Sequence, residues 1–508
     1  MEVAVGTAAR PWRVDALCAG LLLLVGTVLC MQTFASGDWG ARPTTEDEFV
    51  YLFQAKTLAA GRLTYPSPPL PEFFEAAHIL VVPTFAAKYF PGHAAVLAPF
   101  QALGAPWVAP CLLLGLTAAL LFLAARLAGL SRPAAFVAPV LLLGSTEVFP
   151  FFASYLSQSS SLAAVTAVIA LAVLAERTPS PGRIAALFGL VVFAALVRPF
   201  AGVAGLVTGA VVLHRLRRRV PPRTLAWALP PLVAGALMVG GICRITTGSW
   251  TLTPWSLYAR QYMPYDGPGV GAMPASSPER ELPPHLHDLD VGFRLSRERH
   301  TWGRLPGEIV HRIVMLSPFL PSLALVPFVL AGLAWARLWP ASTFAAAFFL
   351  LQLTFHFRAR IYYLELAPWL YLTASAGAEM AVRAAVRLRR PVALGAMTAL
   401  GAAALWVSVA MASDLQLVVS HATERSWTHA RWEPVFASLR EQHALVFIRY
   451  PADWNGNIDL TCNEPDLFHA DLVRAIDKGA RNAELLKHFP DRPAFVLDPV
   501  TLRTERIR

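Results

Sequence analysis

The sequence predicts an all-α polytopic membrane protein with about eleven transmembrane helices, followed by a small C-terminal α/β domain. Hydrophobic residues make up 56% of the 508-residue chain and charged residues only 15%. Soluble globular proteins are roughly 45–50% apolar and about 25% charged. Long apolar segments recur from Val14 to Ala412. Beyond them, short apolar runs bounded by polar residues are typical of buried strands.

The apolar segments are of a length suited to a hydrocarbon core about 30 Å thick. The first follows Arg10 and Arg13 and indicates a signal-anchor rather than a cleaved signal peptide, because so many apolar segments come after it. Ala94–Leu103 is too short to span and is predicted to lie in the membrane interface. The predicted spans are Val14–Ala35, Trp107–Ala128, Pro133–Phe151, Leu162–Ala175, Ile184–Val197, Val203–Leu213, Leu225–Ile245, Pro321–Ala336, Ala341–Phe355, Leu366–Ala381 and Val392–Ala412.

The positive charge of the chain follows the predicted topology. The net charge is +10, with 43 lysines and arginines, a balance that in a soluble protein would suggest nucleic acid. With a cytoplasmic N-terminus, however, the six basic sets named below, at the ends of predicted spans, fall on the cytoplasmic side, as the positive-inside rule requires. We therefore predict no nucleic-acid partner. The clusters are Arg10 and Arg13, Arg126 and Arg132, Arg177 and Arg183, Arg215 to Arg223, Arg337, and Arg383 to Arg390.

An odd number of spans places the C-terminus outside the cytoplasm. The five cysteines show no disulfide framework, which favours a multi-pass protein of the cell (inner) membrane of a bacterium. Residues 1–413 form the transmembrane domain, with long external loops at 36–106 and 246–317. Residues 414–508 form the extracytoplasmic α/β domain, in which no catalytic pattern is visible. Its predicted elements are strands at 444–448 and 494–497 and a helix at 466–479.

Three consecutive acids, Glu46, Asp47 and Glu48, lie in the first external loop. They open a helix that runs towards Gly61, and Thr45 with Glu48 forms a capping-box pattern. Charge this close to a bilayer is costly to desolvate, so these acids are candidates for chemistry. The alternative is that they solvate the loop and cap the helix.

Four short motifs follow one another in a fixed order over roughly the first 410 residues, each at an end of a predicted span or in the first loop. They are Asp47-Glu48-x-x-Tyr51-x-x-x-Ala55, Pro91-Gly92-His93, Leu196-Val197-Arg198-Pro199 and Arg360-Ile361-Tyr362-Tyr363-x-x-x-x-Pro368.

This order of motifs resembles the GT-C superfamily of integral-membrane glycosyltransferases, in its protein O-mannosyltransferase and aminoarabinose-transferase-like branch. The resemblance implies a GT-C-like fold and transfer of a sugar from a polyprenyl-phosphate donor to an extracytoplasmic acceptor. That acceptor is a cell-envelope glycan, a lipid or a protein. By the same resemblance Asp47 is the general base, with Glu48 as the alternative. One carboxylate suffices, because phosphate leaves without being protonated.

The donor phosphate requires cationic and hydroxyl groups at the outer membrane face. Each basic candidate has the alternative of snorkelling to the interface. Glu365 is predicted to pair with one of the arginines. The candidates for phosphate binding are Arg360, Tyr362, Arg198, Lys88 and Arg358.

A metal cofactor is left open. Many members of the superfamily carry a second acid in the next external loop, but residues 154–161 contain none. Other residues of metal-ligand type stand in the two long loops, and a divalent metal there would use His285, His287, Glu75 or His78.

Two non-enzyme functions also fit a polytopic protein. A flippase or transporter for a lipid-linked sugar or polysaccharide predicts ionisable residues inside spans and broken-helix repeats. A non-catalytic membrane scaffold predicts no need for Asp47.

Overall fold

The computed structural model describes residues 11–36, 42–273, 277–387, 430–455 and 458–508. The predicted span Val392–Ala412 lies outside them. Helices dominate the part before residue 388, and β-strands occur in the first loop and near the C-terminus. The helices are α1 (Pro11–Ser36), α2 (Glu46–Ala59), α3 (Gly92–Ala102), α4 (Val108–Leu127), α5 (Arg132–Leu143), α6 (Gln158–Arg177), α7 (Pro181–Val197), α8 (Pro199–Leu216), α9 (Pro222–Leu225), α10 (Leu229–Thr247), α11 (Pro254–Tyr262), α12 (His287–Glu298), α13 (Leu305–Val314), α14 (Val326–Gly332), α15 (Trp339–Gln352), α16 (Ala367–Val386), α17 (Glu433–Glu441) and α18 (Asn482–Leu486).

Five helical segments of the described residues are long and apolar enough to cross a membrane. A sixth candidate is the pair Leu305–Phe319 and Leu323–Gly332, which is bent by 103°. Other predicted spans form shorter apolar helices, such as α5 and α7. The polytopic helical class is supported, but the count of about eleven spans is not confirmed, because apolar runs do not reveal where a helix breaks. The five segments are Trp12–Ala35, Val108–Leu127, Gln158–Arg177, Pro199–Leu216 and Pro222–Thr247.

The first long loop is folded. Helix α2 begins after Thr45, as predicted, and ends before Gly61, whose φ of 71° suits glycine. The Thr45 hydroxyl donates to Glu48 Oε1 at 3.4 Å and does not accept from a backbone N–H, so the side-chain cap that the capping-box pattern predicts at Thr45 is not formed. A small antiparallel sheet of order β1-β3-β2 follows α2. Its strands are β1 (Tyr65–Pro66), β2 (Ile79–Leu80) and β3 (Thr84–Ala87).

The C-terminal unit, residues 430–508, contains a four-stranded sheet of order β5-β4-β6-β7. Strand β4 pairs in parallel with β5 and β6, and β7 is antiparallel to β6. The two predicted strands are confirmed as β4 and β6. The predicted helix at 466–479 is wrong, because β5 lies there and pairs Val473 with Leu445. The strands are β4 (Leu445–Ile448), β5 (Val473–Ile476), β6 (Ala494–Leu497) and β7 (Thr504–Arg506).

The C-terminal unit and the first loop share one hydrophobic core. Phe53 of α2 and Phe73 of the loop lie in the same buried cluster as Leu445, Phe447 and Val473. The rings of Phe73 and Phe447 are 6.3 Å apart. Because each side buries apolar surface on the other, the unit is packed against the loop that carries the three acids.

Candidate functional site

Asp47 lies in the first turn of α2, where the helix dipole favours a carboxylate. Its Oδ1 accepts a hydrogen bond from the Tyr89 hydroxyl and lies 3.6 Å from His78 Nε2. The side chain remains 39% exposed. Within the described residues, Oδ2 accepts no hydrogen bond. One oxygen is thus anchored, and the other is open to a ligand.

The two neighbouring acids have different surroundings. Glu48 is buried: Oε1 accepts from the hydroxyls of Thr44 and Thr45, and Oε2 accepts from the Tyr155 N–H at 3.4 Å. Burial, together with the charges of Asp459 and Asp47, raises the pKa of Glu46 to about 8. Glu48 therefore ties α2 to the segment before α6. Glu46 Oε1 is buried with no hydrogen-bond partner in the ranges that the structure describes, whereas the unpartnered oxygen of Asp47 belongs to a partly exposed side chain.

The next motif positions α3 against α2. Tyr51 stacks on Tyr89 with ring centroids 4.9 Å apart and meets the edge of His93 at 4.8 Å. His93 Nε2 donates to the Tyr155 carbonyl, so Nδ1 accepts from Ser160, both at 2.8 Å. The contacts of His93 are structural.

Gly92 permits a close approach between α3 and the end of α7. A Cβ at Gly92 would lie 2.5 Å from the carbonyl carbon of Leu196, so no larger residue fits without moving the backbone. This contact holds the Pro91-Gly92-His93 motif beside the chain that leads to Arg198.

Lys88 is 4% exposed, and its ammonium lies over three aromatic rings. Nζ is 5.4 Å from the ring centroid of Tyr89, 5.5 Å from that of Trp255 and 5.0 Å from that of Tyr258. Burial lowers the pKa of Lys88, while the nearby carboxylates of Asp266 and Asp47 act in the opposite direction. In the described parts of the chain, the ammonium makes no hydrogen bond or salt bridge. Its donors are available to an anion.

Arg198 occupies an extended step between α7 and α8. Its Nε lies 3.0 Å from Oε1 of the fully buried Glu365, which confirms the predicted pairing of that acid with an arginine. Ser161 donates to the same Oε1 at 2.7 Å, and the guanidinium lies 6.0 Å from the Tyr362 ring centroid. We call Asp47, His78, Lys88, Arg198 and Glu365 the Asp47 cluster.

The other two predicted phosphate-binding arginines have different partners. Arg360 pairs with Glu147, and Arg358 Nη2 lies 3.1 Å from Glu308 Oε1. Their side chains are 47% and 39% exposed. We call Arg358 and Arg360 with these two glutamates the arginine rim.

The four candidate metal ligands do not come together. Glu75 pairs with Arg280 at 2.7 Å, and His78 belongs to the Asp47 cluster. His285 is buried and stacks on Tyr450, whereas His287 is exposed at the start of α12. Among the residues that the structure describes, no group of three or more histidines, cysteines or acids is placed to hold a metal ion.

Several residues near the site have no signal in the sequence. Asp266 is buried 3.4 Å from His356 Nε2, and its charge reaches Lys88. Trp255 and Tyr258 lie in α11, far along the chain from Lys88. Only tertiary packing brings these residues to the first loop, so no local motif marks them.

No protein-family model and no curated protein matches this chain. Among solved structures, the chain is similar to ArnT from Cupriavidus metallidurans bound to undecaprenyl phosphate, with a TM-score of 0.54 and 15% identity, covering 97% of this chain and 94% of that one. The apo state of the same ArnT gives 0.52 and 14%, covering 96% and 94%. The archaeal oligosaccharyltransferase AglB from Archaeoglobus fulgidus gives 0.40 and 11%, covering 83% and 58%. The ArnT likeness spans nearly the whole chain and shows that the two proteins share a fold.

Proposed function

We propose that this protein is a GT-C-type membrane glycosyltransferase that moves a sugar from a polyprenyl-phosphate donor to an extracytoplasmic glycan, lipid or protein. The observation that carries the proposal is the open oxygen of Asp47 beside the buried, unpaired ammonium of Lys88. A base and an anion site in one cluster are what such a transfer needs. The fold shared with ArnT, whose structure was solved with undecaprenyl phosphate bound, supports the same class of donor.

In the proposed reaction, the acceptor hydroxyl donates a hydrogen bond to Asp47 Oδ2. As the acceptor oxygen bonds to the anomeric carbon, its proton passes to Asp47. The bond between that carbon and the phosphate oxygen breaks, and its electron pair leaves with the phosphate. Glycosidases need a second carboxyl group to protonate their leaving group, whereas a phosphate leaves as an anion. Asp47 alone can therefore supply the proton chemistry.

Lys88, Arg198 and Tyr362 are proposed to hold the donor phosphate. The three rings around Lys88 hold its ammonium by their faces and take up none of its N–H donors, so these remain free for phosphate oxygens. Low water content strengthens each of these contacts. Arg358 and Arg360, in the arginine rim, are proposed to lie at the entrance to the site and to attract the donor phosphate by their positive charge.

We further propose that the N-terminus is cytoplasmic and that the Asp47 loop and the C-terminal unit lie outside the cytoplasm, in the cell (inner) membrane. The distribution of arginines supports this orientation. A reporter that is active only outside the cytoplasm should work when fused after Arg508. Activity of a cytoplasm-only reporter at that position would reverse the proposed orientation of the C-terminus.

The function is tested with purified protein in lipid nanodiscs and a panel of polyprenyl-phosphate sugars. We expect sugar release or transfer from at least one donor, with formation of free polyprenyl phosphate. Asp47→Asn should abolish it, and Glu46→Gln, the matched control, should retain it. No release from any donor, combined with movement of an intact lipid-linked sugar across the bilayer, would contradict the proposal and favour a flippase.

A further inference from the structure

Asp459 of the C-terminal unit is a buried carboxylate whose contacts reach the first loop. Its Oδ2 accepts from the backbone N–H of Ala77 at 2.6 Å, and its Oδ1 accepts from the N–H of Thr461 at 2.7 Å. His285 Nε2 lies 3.6 Å from Oδ1. Burial alone would raise the pKa of Asp459. The contacts with His285, Thr461 and Ala77 nevertheless hold this pKa well below its usual range. These contacts place Asp459 where the C-terminal unit meets both long loops, through Ala77 of the first and His285 of the second.

The residue after Ala77 is His78, whose backbone is unusual. Its φ is 63°, a left-handed conformation that costs a residue with a side chain about 1 kcal/mol or more and persists only where surrounding contacts hold it. The His78 N–H donates to the Tyr258 hydroxyl at 3.1 Å, and its carbonyl accepts from the Lys88 N–H at 3.0 Å. The bond from Ala77 to Asp459 holds the chain on the preceding side.

This backbone conformation aims the His78 ring at the candidate base. Burial and the nearby Lys88 ammonium lower the pKa of His78 to about 4, so the ring is neutral at pH 7. Its Nε2 lies 3.6 Å from Asp47 Oδ1. A neutral imidazole in this position orients the Asp47 carboxylate without adding a positive charge that would itself bind the carboxylate.

The C-terminal unit contacts the first loop at further points. Thr461 Oγ1 lies 2.5 Å from Asp459 Oδ1 and 3.3 Å from the Glu75 carbonyl oxygen, so its one proton is shared between these two acceptors. Arg481 pairs with Glu72 at 2.6 Å. Lys56 of α2 pairs with Glu464 at 2.5 Å. Residues 72–78 are therefore held by the C-terminal unit at both ends, and Asp459 is the contact nearest to His78.

We propose that Asp459 is a positioning residue of the transfer reaction, through which the C-terminal unit sets the His78 ring against Asp47. This inference rests on the proposed glycosyltransferase function. The C-terminal unit, in which the sequence shows no catalytic pattern, thereby becomes a working part of the site. Asp459 touches neither donor nor acceptor and acts through the backbone of residues 77–78.

The test compares Asp459→Asn with Asp477→Asn in the full-length protein. The amide places an NH₂ group where donors already point, so it must lose either the Ala77 or the Thr461 contact. Asp477 is the matched control: it is another carboxylate of the C-terminal unit, and its partners, the Gly479 N–H at 3.0 Å, Asn482 at 2.7 Å and Arg449 at 2.6 Å, belong to that unit. Both changes should lower the melting temperature.

Only Asp459→Asn should lower kcat, by about 10- to 100-fold, the scale of a small misplacement of a catalytic group. The donor KM should stay unchanged. In a His78→Gln background, Asp459→Asn should cause no further loss of kcat, because the two residues act in one chain of contacts. If Asp459→Asn fails to fold, Thr461→Val loosens the same seam and should give a smaller fall in kcat.

Two outcomes would overturn the inference while leaving the function intact. One is wild-type kcat in Asp459→Asn when Asp47→Asn is inactive. The other is an equal loss of kcat in Asp459→Asn and Asp477→Asn, which would indicate a general effect of stability. Normal transfer by Asp47→Asn would instead reject the proposed mechanism itself.

Discussion

The Asp47 cluster and the arginine rim contain the same kinds of charged group, but water reaches them differently. Lys88 and Glu365 are buried, whereas Arg358 and Arg360 are exposed; Glu308, the partner of Arg358, is buried, so only the pair of Arg360 with Glu147 is exposed on both sides. A buried charge is little screened, so its loss or isolation has a large effect, while exposed pairs typically contribute about 0–1 kcal/mol. Sequence motifs propose charged groups for a site, and only the structure shows which of those groups are buried.

The largest expected effect is at Asp47. Asp47→Asn keeps the shape and should fold, but transfer should fall by about 10²–10⁴, the usual contribution of general acid–base catalysis. The measurement is single-turnover sugar transfer at saturating donor, with thermal unfolding as the control. If Glu48→Gln loses transfer and Asp47→Asn does not, the two acids have exchanged roles. If both keep it, α2 is only a capped surface helix.

The next effect concerns the ion pair between Arg198 and Glu365. Arg198→Met leaves the Glu365 carboxylate buried without its partner, and should lower the free energy of unfolding by about 3–5 kcal/mol. Arg198→Met combined with Glu365→Gln should recover most of that loss, because no isolated charge remains. Denaturant unfolding in detergent micelles measures both. Equal free energies of unfolding of the single and double variants would show that leaving the Glu365 charge without its partner costs little.

Donor affinity sharpens the comparison between cluster and rim. Lys88→Met keeps the aliphatic packing and should weaken binding of a polyprenyl-phosphate donor by about 1.5–3 kcal/mol, as expected for a hydrogen bond to a charged group. Arg360→Ala should cost about 0–1 kcal/mol. Titration calorimetry or fluorescence binding with the same donor compares them. If Arg360→Ala is as damaging as Lys88→Met, and Arg360→Lys only partly restores binding, the rim is part of the phosphate site.

A further effect is a pH dependence of stability at Glu46. Its folded pKa of about 8 lies above the ordinary 4.5, so its contribution to stability is present at low pH and is lost as the pH rises from about 4.5 through 8. Glu46→Gln should therefore melt at an increasingly higher temperature than the wild type between pH 6 and about 9. A constant difference across that range would contradict the assigned burial. The pKa of His78, lowered to about 4, has the opposite effect on stability. In both proteins its contribution to stability is lost as the pH falls below about 6.5.

The sequence by itself determined the helical membrane class, the start of α2 after Thr45, strands β4 and β6, and the GT-C resemblance, which in turn implies Asp47 as the candidate base. Composition, apolar runs and short motifs predict these features, and none of these signals depends on contacts between distant residues. Even the end of α2 could be predicted, because Gly61 has a conformation that glycine favours.

Only the tertiary structure decided which charges are buried and which are paired. Tyr89 anchors Asp47 from 42 residues away, Arg198 meets Glu365 across the helical bundle, and Asp459 binds the Ala77 N–H over a separation of 382 residues. The free energy of a charged group depends on its exposure to water and on its partners, and distant segments of the chain determine both. For that reason the sequence could propose five phosphate-binding residues but could not show that Lys88 is buried and Arg360 is exposed.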